Sequence, residues 1–413
     1  MGKRIINFFA NNPEKLVYVS ALFFLIAGLI YSFHLGDKLL FPDEGEYYAF
    51  AKNIAEGHGY TLDGKTPSTW RTPGYPLFLS LFIKLAGASP VLLRYLNFIG
   101  LALCVFFIHA ILRRENAGSG SGLSALLLVL YGVLFYTAGT LYPQTICSLV
   151  IVILIWLVTG PDFSYARAVI FGFLSAFMIM ILPATIFIPP VVVLWMAYPN
   201  KYDVLWKAMV SALVVAACIS VWTYRNYREF GEFIPLSAEG GINLYLGNNP
   251  NTDVMAWWKS DSPELQQQTE NLTATERNRF YTRQAIRFWK ESPASAIRLY
   301  LLKFLNYFNF RNTFFVASEF NVFRSVIMFL TYYPLLLCLM FRLFYIHKRP
   351  LSRVEVLFVL LYFGSAFFYS IFIPRIRYRL PFDVLLIAHV GIIFSLLVDR
   401  MKGKQPGNPA LKK

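Results

Sequence analysis

Charge is scarce in this sequence. Asp, Glu, Lys and Arg make up 15% of its 413 residues, where a soluble domain carries about 25%. Hydrophobic residues make up 57%, and the mean hydropathy is +0.51. That shortage excludes an ordinary water-soluble domain. Cysteine is sparse too: Cys104, Cys147, Cys218 and Cys338 all lie in apolar stretches. None sits in a polar loop or at metal-ligand spacing, so neither a disulfide framework nor a thiolate metal site is indicated. A Walker or dinucleotide phosphate loop is missing as well, because no strand–glycine–helix order surrounds Gly240, Gly241 or Gly247.

What the sequence has instead is long apolar runs. They cover 16–33, 90–112, 123–140, 145–159, 166–181, 185–197, 204–224, 322–346, 354–373 and 380–398. Several reach the roughly 20 residues that span a bilayer, which predicts about ten spans, with nine to twelve as the range. Two shorter apolar segments, 75–85 and 297–310, read as interfacial or re-entrant. The first run follows a basic N-terminus and lacks a small-x-small cleavage site, so it reads as an uncleaved anchor.

The net charge of +15 is read by position, not as a nucleic-acid signal. Lys3, Arg4, Lys15, Arg113, Arg114, Lys201, Lys207, Arg342, Lys348, Arg349, Arg353, Arg400, Lys402 and Lys404 cluster at alternate span ends. The positive-inside rule makes those ends cytoplasmic, with both termini. The polar loops 34–74 and 225–296 then fall outside. One basic cluster breaks the rule: "PRIRYRLP" puts Arg375, Arg377 and Arg379 on the outer face. Snorkelling helix ends account for such residues, and so does an anion site, since arginine forks match phosphate oxygens.

The first outer loop opens with "FPDEGEYYAF", three carboxylates within four residues: Asp43, Glu44 and Glu46. With Asp43 as N-cap and Glu46 as capping-box partner, a helix would run over 44–55, its aromatic face in the lipid, closed by Gly57 and Gly59. The acids also suit a catalytic base at a membrane groove. Downstream, "STWRTPGYPLF" offers Arg71 before a Pro-Gly-Tyr-Pro turn. The second outer loop carries "RNYREFGEFIPLSAEGGINLYLGNNP", then Arg279, Arg283 and Arg287 at helical spacing on a basic surface helix.

In their order, "PDE" with "YY", "RTPGYPLF", the second-loop "RN" to "GNNP" and the late "RYRLP" resemble the C-superfamily (GT-C) integral-membrane glycosyltransferases. Among these the likeness is to bacterial relatives of protein O-mannosyltransferases, the lipid A aminoarabinose transferase and Rgt-type sugar transferases. The resemblance covers nearly the whole chain. It implies an all-α polytopic membrane protein, one GT-C domain over 1–413, with amphipathic juxtamembrane helices in two large periplasmic loops, the first of them catalytic. It further implies a multi-pass protein of the bacterial inner membrane with a periplasmic active site.

The implied activity is transfer of a sugar from a polyprenyl-phosphate donor to an acceptor hydroxyl on a glycolipid, lipopolysaccharide or protein, with inversion. The partners are that donor, the acceptor and the bilayer; no nucleic acid and no required cofactor or metal is implied. Carried over residue by residue, Asp43 is the base and Glu44 its supporting acid. Arg71 and Arg377 or Arg379 hold the donor phosphate, and Tyr47, Tyr75, Arg225, Asn226 and Asn248 complete the substrate contacts. Departures fall at Gln144, Leu182-Pro183 and Glu46, where relatives often have Glu, Arg-Pro and a cation. A transporter or flippase of a lipid-linked anion is the rival reading, but transporters favour mid-membrane ionisable groups and paired repeats, and no two-fold repeat is apparent here.

Overall fold

A bilayer leaves no water for unpaired backbone groups, so apolar runs of this length close their hydrogen bonds within helices. The computed structural model describes residues 2–199, 203–255, 260, 263–311 and 322–403. Among them the secondary structure is helical, apart from one isolated bridge between Thr61 and Pro67. Lys201 and Lys404 lie outside the described residues. Five helices have the length and apolar composition of a span: Pro13–Leu35, Pro90–Arg114, Asp203–Phe230, Val322–Phe344 and Ile376–Met401. The chain is a multi-pass membrane protein. Shorter apolar helices stand beside these, including Gly74–Ala86, Gln144–Val158 and Tyr165–Ile181.

One expected span is broken. The run 123–140 forms two helices, Ser121–Leu130 and Gly132–Ala138, bent by 61°. The break falls at Tyr131 (φ −79°, ψ 75°), whose hydroxyl donates to Asp383 at 2.7 Å. A tertiary hydrogen bond inside the bundle thus accompanies a bend that hydropathy does not foretell.

Ile376–Met401 sits in the middle of the bundle, packed on Gln144–Val158, Ser121–Leu130, Arg353–Tyr369 and Val322–Phe344. Asp203–Phe230 packs chiefly on Tyr165–Ile181 and leaves Leu205, Leu213 and Val221 exposed, as a lipid-facing helix does. The charged ends sort by side. Arg113 meets Glu14 at 3.1 Å, Arg114 donates to the carbonyl of Trp156, and Arg353 donates to those of Trp195 and Tyr198. At the opposite end the two long loops meet, with Ala238 N–H donating to the Thr69 carbonyl at 3.0 Å.

Candidate active site

The first-loop helix runs Pro42–Ala55, not 44–55, and its N-cap is Phe41 rather than Asp43. Pro42 suits the first helical position because its missing N–H has no partner there anyway. The capping acid is Glu44, not Glu46: its carboxylate accepts from the backbone N–H of Leu40 and of Phe41. It also accepts from Leu141 N–H at 2.7 Å and is fully buried. Glu44 therefore ties the helix start to the "LYP" segment 141–143. Asp43 and Glu46 are released from capping and point elsewhere. Gly57 (φ +87°) and Gly59 (φ +75°) close the helix as expected. Its aromatic face is not in lipid: Tyr47 and Phe50 are buried, Phe50 stacked on Tyr60 at 4.4 Å.

The "RTPGYP" motif is seated on the end of Tyr165–Ile181. Thr72 Oγ1 donates to the Ile181 carbonyl at 3.2 Å. At Gly74 a Cβ would stand 2.6 Å from the Met180 carbonyl carbon, so only glycine allows that approach. Tyr60 O–H donates to the Arg71 carbonyl at 2.8 Å. With its backbone held on two sides, Arg71 reaches the first-loop helix.

Three carboxylates surround its guanidinium. Nη2 meets Asp43 Oδ1 at 2.8 Å, Nε meets Glu46 Oε2 at 2.5 Å, and Nη1 meets Glu239 Oε1 at 3.2 Å. Arg377, from the first turn of the last helix, meets the other oxygen of Asp43 at 2.7 Å and lies over the rings of Tyr142 and Tyr378. Asp43 thus bridges two arginines that are far apart in sequence. The Nε of Arg377 is buried and has no hydrogen-bond partner among the described residues.

The electrostatics follow from this packing. Burial pushes the Asp43 carboxyl up, but Arg377 and Arg71 outweigh it and hold it below the usual carboxylate range. Glu239 goes the other way: burial pushes it up to about 7, against the pull of Arg71 and with the charges of Glu46 and Asp43 adding to the rise. Two acids sharing one arginine therefore differ widely in proton affinity, which is how acid and base roles are separated in one site.

The other expected site residues divide. Tyr47 lies under Arg71, 5.6 Å from ring centre to guanidinium carbon, with Tyr75 edge-on behind it at 5.4 Å. Arg225 and Asn226 are braces. Arg225 donates to the carbonyls of Ser68 and Tyr60, and buried Asn226 donates to that of Ile234. Arg225 thereby joins the second loop to the first, and Asn226 ties down the start of the second loop. Asn248 is set apart, donating to Leu244 and Ile371 carbonyls and accepting from Trp289 and the buried Lys303. Arg379 is buried, paired with Asp383 at 3.1 Å and donating to the carbonyls of Tyr307 and Asn309. Residues two apart on a helix do not share a face, and Arg377 and Arg379 accordingly meet different carboxylates.

This arrangement sits on a fold already seen in a solved structure. The chain shares its fold with ArnT. That crystal structure, of ArnT from Cupriavidus metallidurans bound to undecaprenyl phosphate, superposes with a TM-score of 0.54 over 92% of this chain, at 14% identity. The chain spans 60% of the ArnT chain's length. No family model and no curated protein matches the sequence. The likeness to ArnT is one of fold.

Two residues of this cluster, Glu239 and Tyr142, carry no mark in the sequence that singles them out. Glu239 lies inside the second-loop motif, between "PLSA" and "GG", and the loop contact at Ala238–Thr69 brings it to Arg71. Tyr142 follows from "LYP", a segment read for its neighbour Gln144. A cleft of about 410 Å³ at the opposite end gathers Glu115, Asp162, Asp203, Lys207 and Arg353. There Lys207 pairs with Asp203 at 3.0 Å and Arg353 donates to two carbonyls.

Proposed function

We propose that this protein transfers a sugar from a polyprenyl-phosphate-linked donor to an acceptor hydroxyl at the outer membrane face, inverting the anomeric centre. The acceptor is a glycolipid, a lipopolysaccharide or a protein. The observation that carries this reading is the bridge Arg71–Asp43–Arg377, two guanidinia from opposite ends of the chain on one carboxylate at one end of a helical bundle. A phosphate entering there competes with Asp43 for both arginines, and Arg377 Nε offers it a further donor. Fixed guanidinium groups aimed at a leaving phosphate stabilise the charge that builds on it, typically worth about 10²–10³ in rate per donor lost. The ArnT fold, solved with undecaprenyl phosphate bound, supports a lipid phosphate as the anion.

In this reading Arg71 and Arg377 form the donor clamp, and Asp43 is the carboxylate that gives up its arginines as the phosphate arrives. Tyr47 and Tyr75 form the apolar wall of the clamp. Glu44, Arg225 and Asn226 hold the loops that carry it. The basic ends at Arg113, Arg114 and Arg353 face the cytoplasm of a bacterial inner membrane and the cluster faces the periplasm. The test is purified protein in detergent with a labelled polyprenyl-phosphate sugar and a hydroxyl acceptor. Sugar transfer is expected, along with loss of lipid-phosphate binding in Arg71→Ala and Arg377→Ala. Unchanged binding in both variants sinks the clamp. Detergent removes the two compartments, so transfer there also separates this function from a flippase.

A further inference from the structure

Four carboxylates stand at the mouth of this site, and their surroundings differ. Glu44 has both oxygens on backbone N–H groups. Asp43 has one oxygen on each of two guanidinia. Glu46 is held through one oxygen by Arg71 and by Trp70 Nε1–H at 3.2 Å. Glu239 makes a single, longer contact, Oε1 to Arg71 at 3.2 Å, and no other hydrogen bond or ion pair reaches its carboxylate among the described residues. It is mostly buried, with 14% of its side chain exposed, and Oε2 has no partner among the described residues that a ligand would have to displace. It comes from the second loop and meets Arg71 at Nη1, the nitrogen that neither Asp43 nor Glu46 uses.

We infer that Glu239, rather than Asp43, is the carboxylate that takes the proton of the acceptor hydroxyl. This rests on the sugar-transfer reading above. The acceptor oxygen bonds to the anomeric carbon as the bond from that carbon to the phosphate oxygen breaks. The bonding pair leaves on the phosphate, held by Arg71 and Arg377, and the hydroxyl proton passes to Glu239 Oε2. An acceptor held between Glu239 and the clamp meets its base and the leaving group's counter-charge on the same arginine. Asp43 is then a positioning residue that sets the two arginines apart before the phosphate arrives.

The proton affinities agree with this division. A base works best when its pKa lies near the working pH, and Glu239, at about 7, meets that condition, whereas Asp43 is held low. The charged and titratable groups facing Glu239 are Arg71, Glu46, Asp43 and Arg377, with the Tyr47 and Tyr60 hydroxyls. Gain of a proton by Glu239 as the phosphate gains charge keeps the cluster's balance unchanged through the step.

The test combines a pH profile with donor binding in Glu239→Gln, Glu239→Asp and Glu239→Ala. The wild-type rate is expected to rise with pH through a limb near 7. Glu239→Gln should lose about 10²–10⁴-fold in kcat and lose the limb, while still binding labelled undecaprenyl phosphate. Glu239→Asp should keep a limb at a shifted position, and added formate should restore part of the Glu239→Ala rate. A full rate in Glu239→Gln overturns the assignment, as does a limb that survives it or one that disappears in Glu46→Gln instead. Should Glu239→Gln not fold, an unshifted limb in Glu239→Asp does the same. Failure of the underlying reading looks different: no transfer by the wild type, or undiminished lipid-phosphate binding without Arg71 and Arg377.

Discussion

Arg377 and Arg379 are one residue apart from being neighbours, and they inhabit different worlds. Arg379 is buried in the bundle, facing Asp383 and two carbonyls, with its guanidinium carbon 3.5 Å from the centre of the Tyr332 ring. Arg377 stands at the rim, a quarter exposed, sharing Asp43 with Arg71 and keeping a buried N–H without a partner among the described residues. Buried charge is tolerated where it is paired and hydrogen-bonded. Function needs the opposite condition, a charge whose partner can be displaced. The comparison teaches that an arginine on the "wrong" side of a membrane protein is not yet an anion site; the openness of its pairing decides.

Substitutions can break that contrast. Arg379→Met strands Asp383 in the bundle and should destabilise the protein by about 3–5 kcal/mol, read as a lower unfolding temperature in detergent. Adding Asp383→Leu should recover much of that loss, since an apolar pair replaces the ion pair. Arg377→Met leaves Asp43 its pairing with Arg71, so it should lower the unfolding temperature much less, and lower kcat by about 10²–10³-fold. If both variants behaved alike, the distinction between a closed and an open pairing would fall.

Smaller effects sharpen it. Glu44→Gln keeps shape but weakens three backbone hydrogen bonds, at a cost of about 1–3 kcal/mol, with catalysis lost only as the fold is. Asp43 has a depressed pKa in the folded state, so its stabilisation is present above the unfolded value near pH 4 and fades as pH falls through the folded one. The unfolding-temperature gap between wild type and Asp43→Asn should therefore be constant at neutral pH and narrow on acidification. A gap that widened in acid would contradict the bridge. Arg225→Lys, which loses a fork across two carbonyls, should cost about 1 kcal/mol and show mainly as a raised KM.

Much of this was legible in the chain. The apolar runs located the helices, and "RTPGYPLF" marked a turn whose glycine and threonine do seat Arg71 on a neighbouring helix. Arg379 carried a readable signal too, since Asp383 stands four residues on, the spacing of a helical ion pair. The first-loop acids were harder, because any of Asp43, Glu44 and Glu46 satisfies a capping pattern. Glu44 took that role because the backbone N–H groups of Leu40, Phe41 and Leu141 converge on it. Glu239 had no local mark at all; it gains its meaning from an arginine on another loop.

The amino-acid order alone determined that the chain lives in a membrane as a bundle of helices, because apolar runs of span length can satisfy their backbone only internally. It also determined that acids and arginines gather in two loops and one late helix start. Tertiary structure decided which carboxylate meets which guanidinium. Ion pairing depends on distance and on the water removed from around it, and both are set only when the second loop closes over the first and the last helix turns Arg377 toward Asp43 and Arg379 away from it.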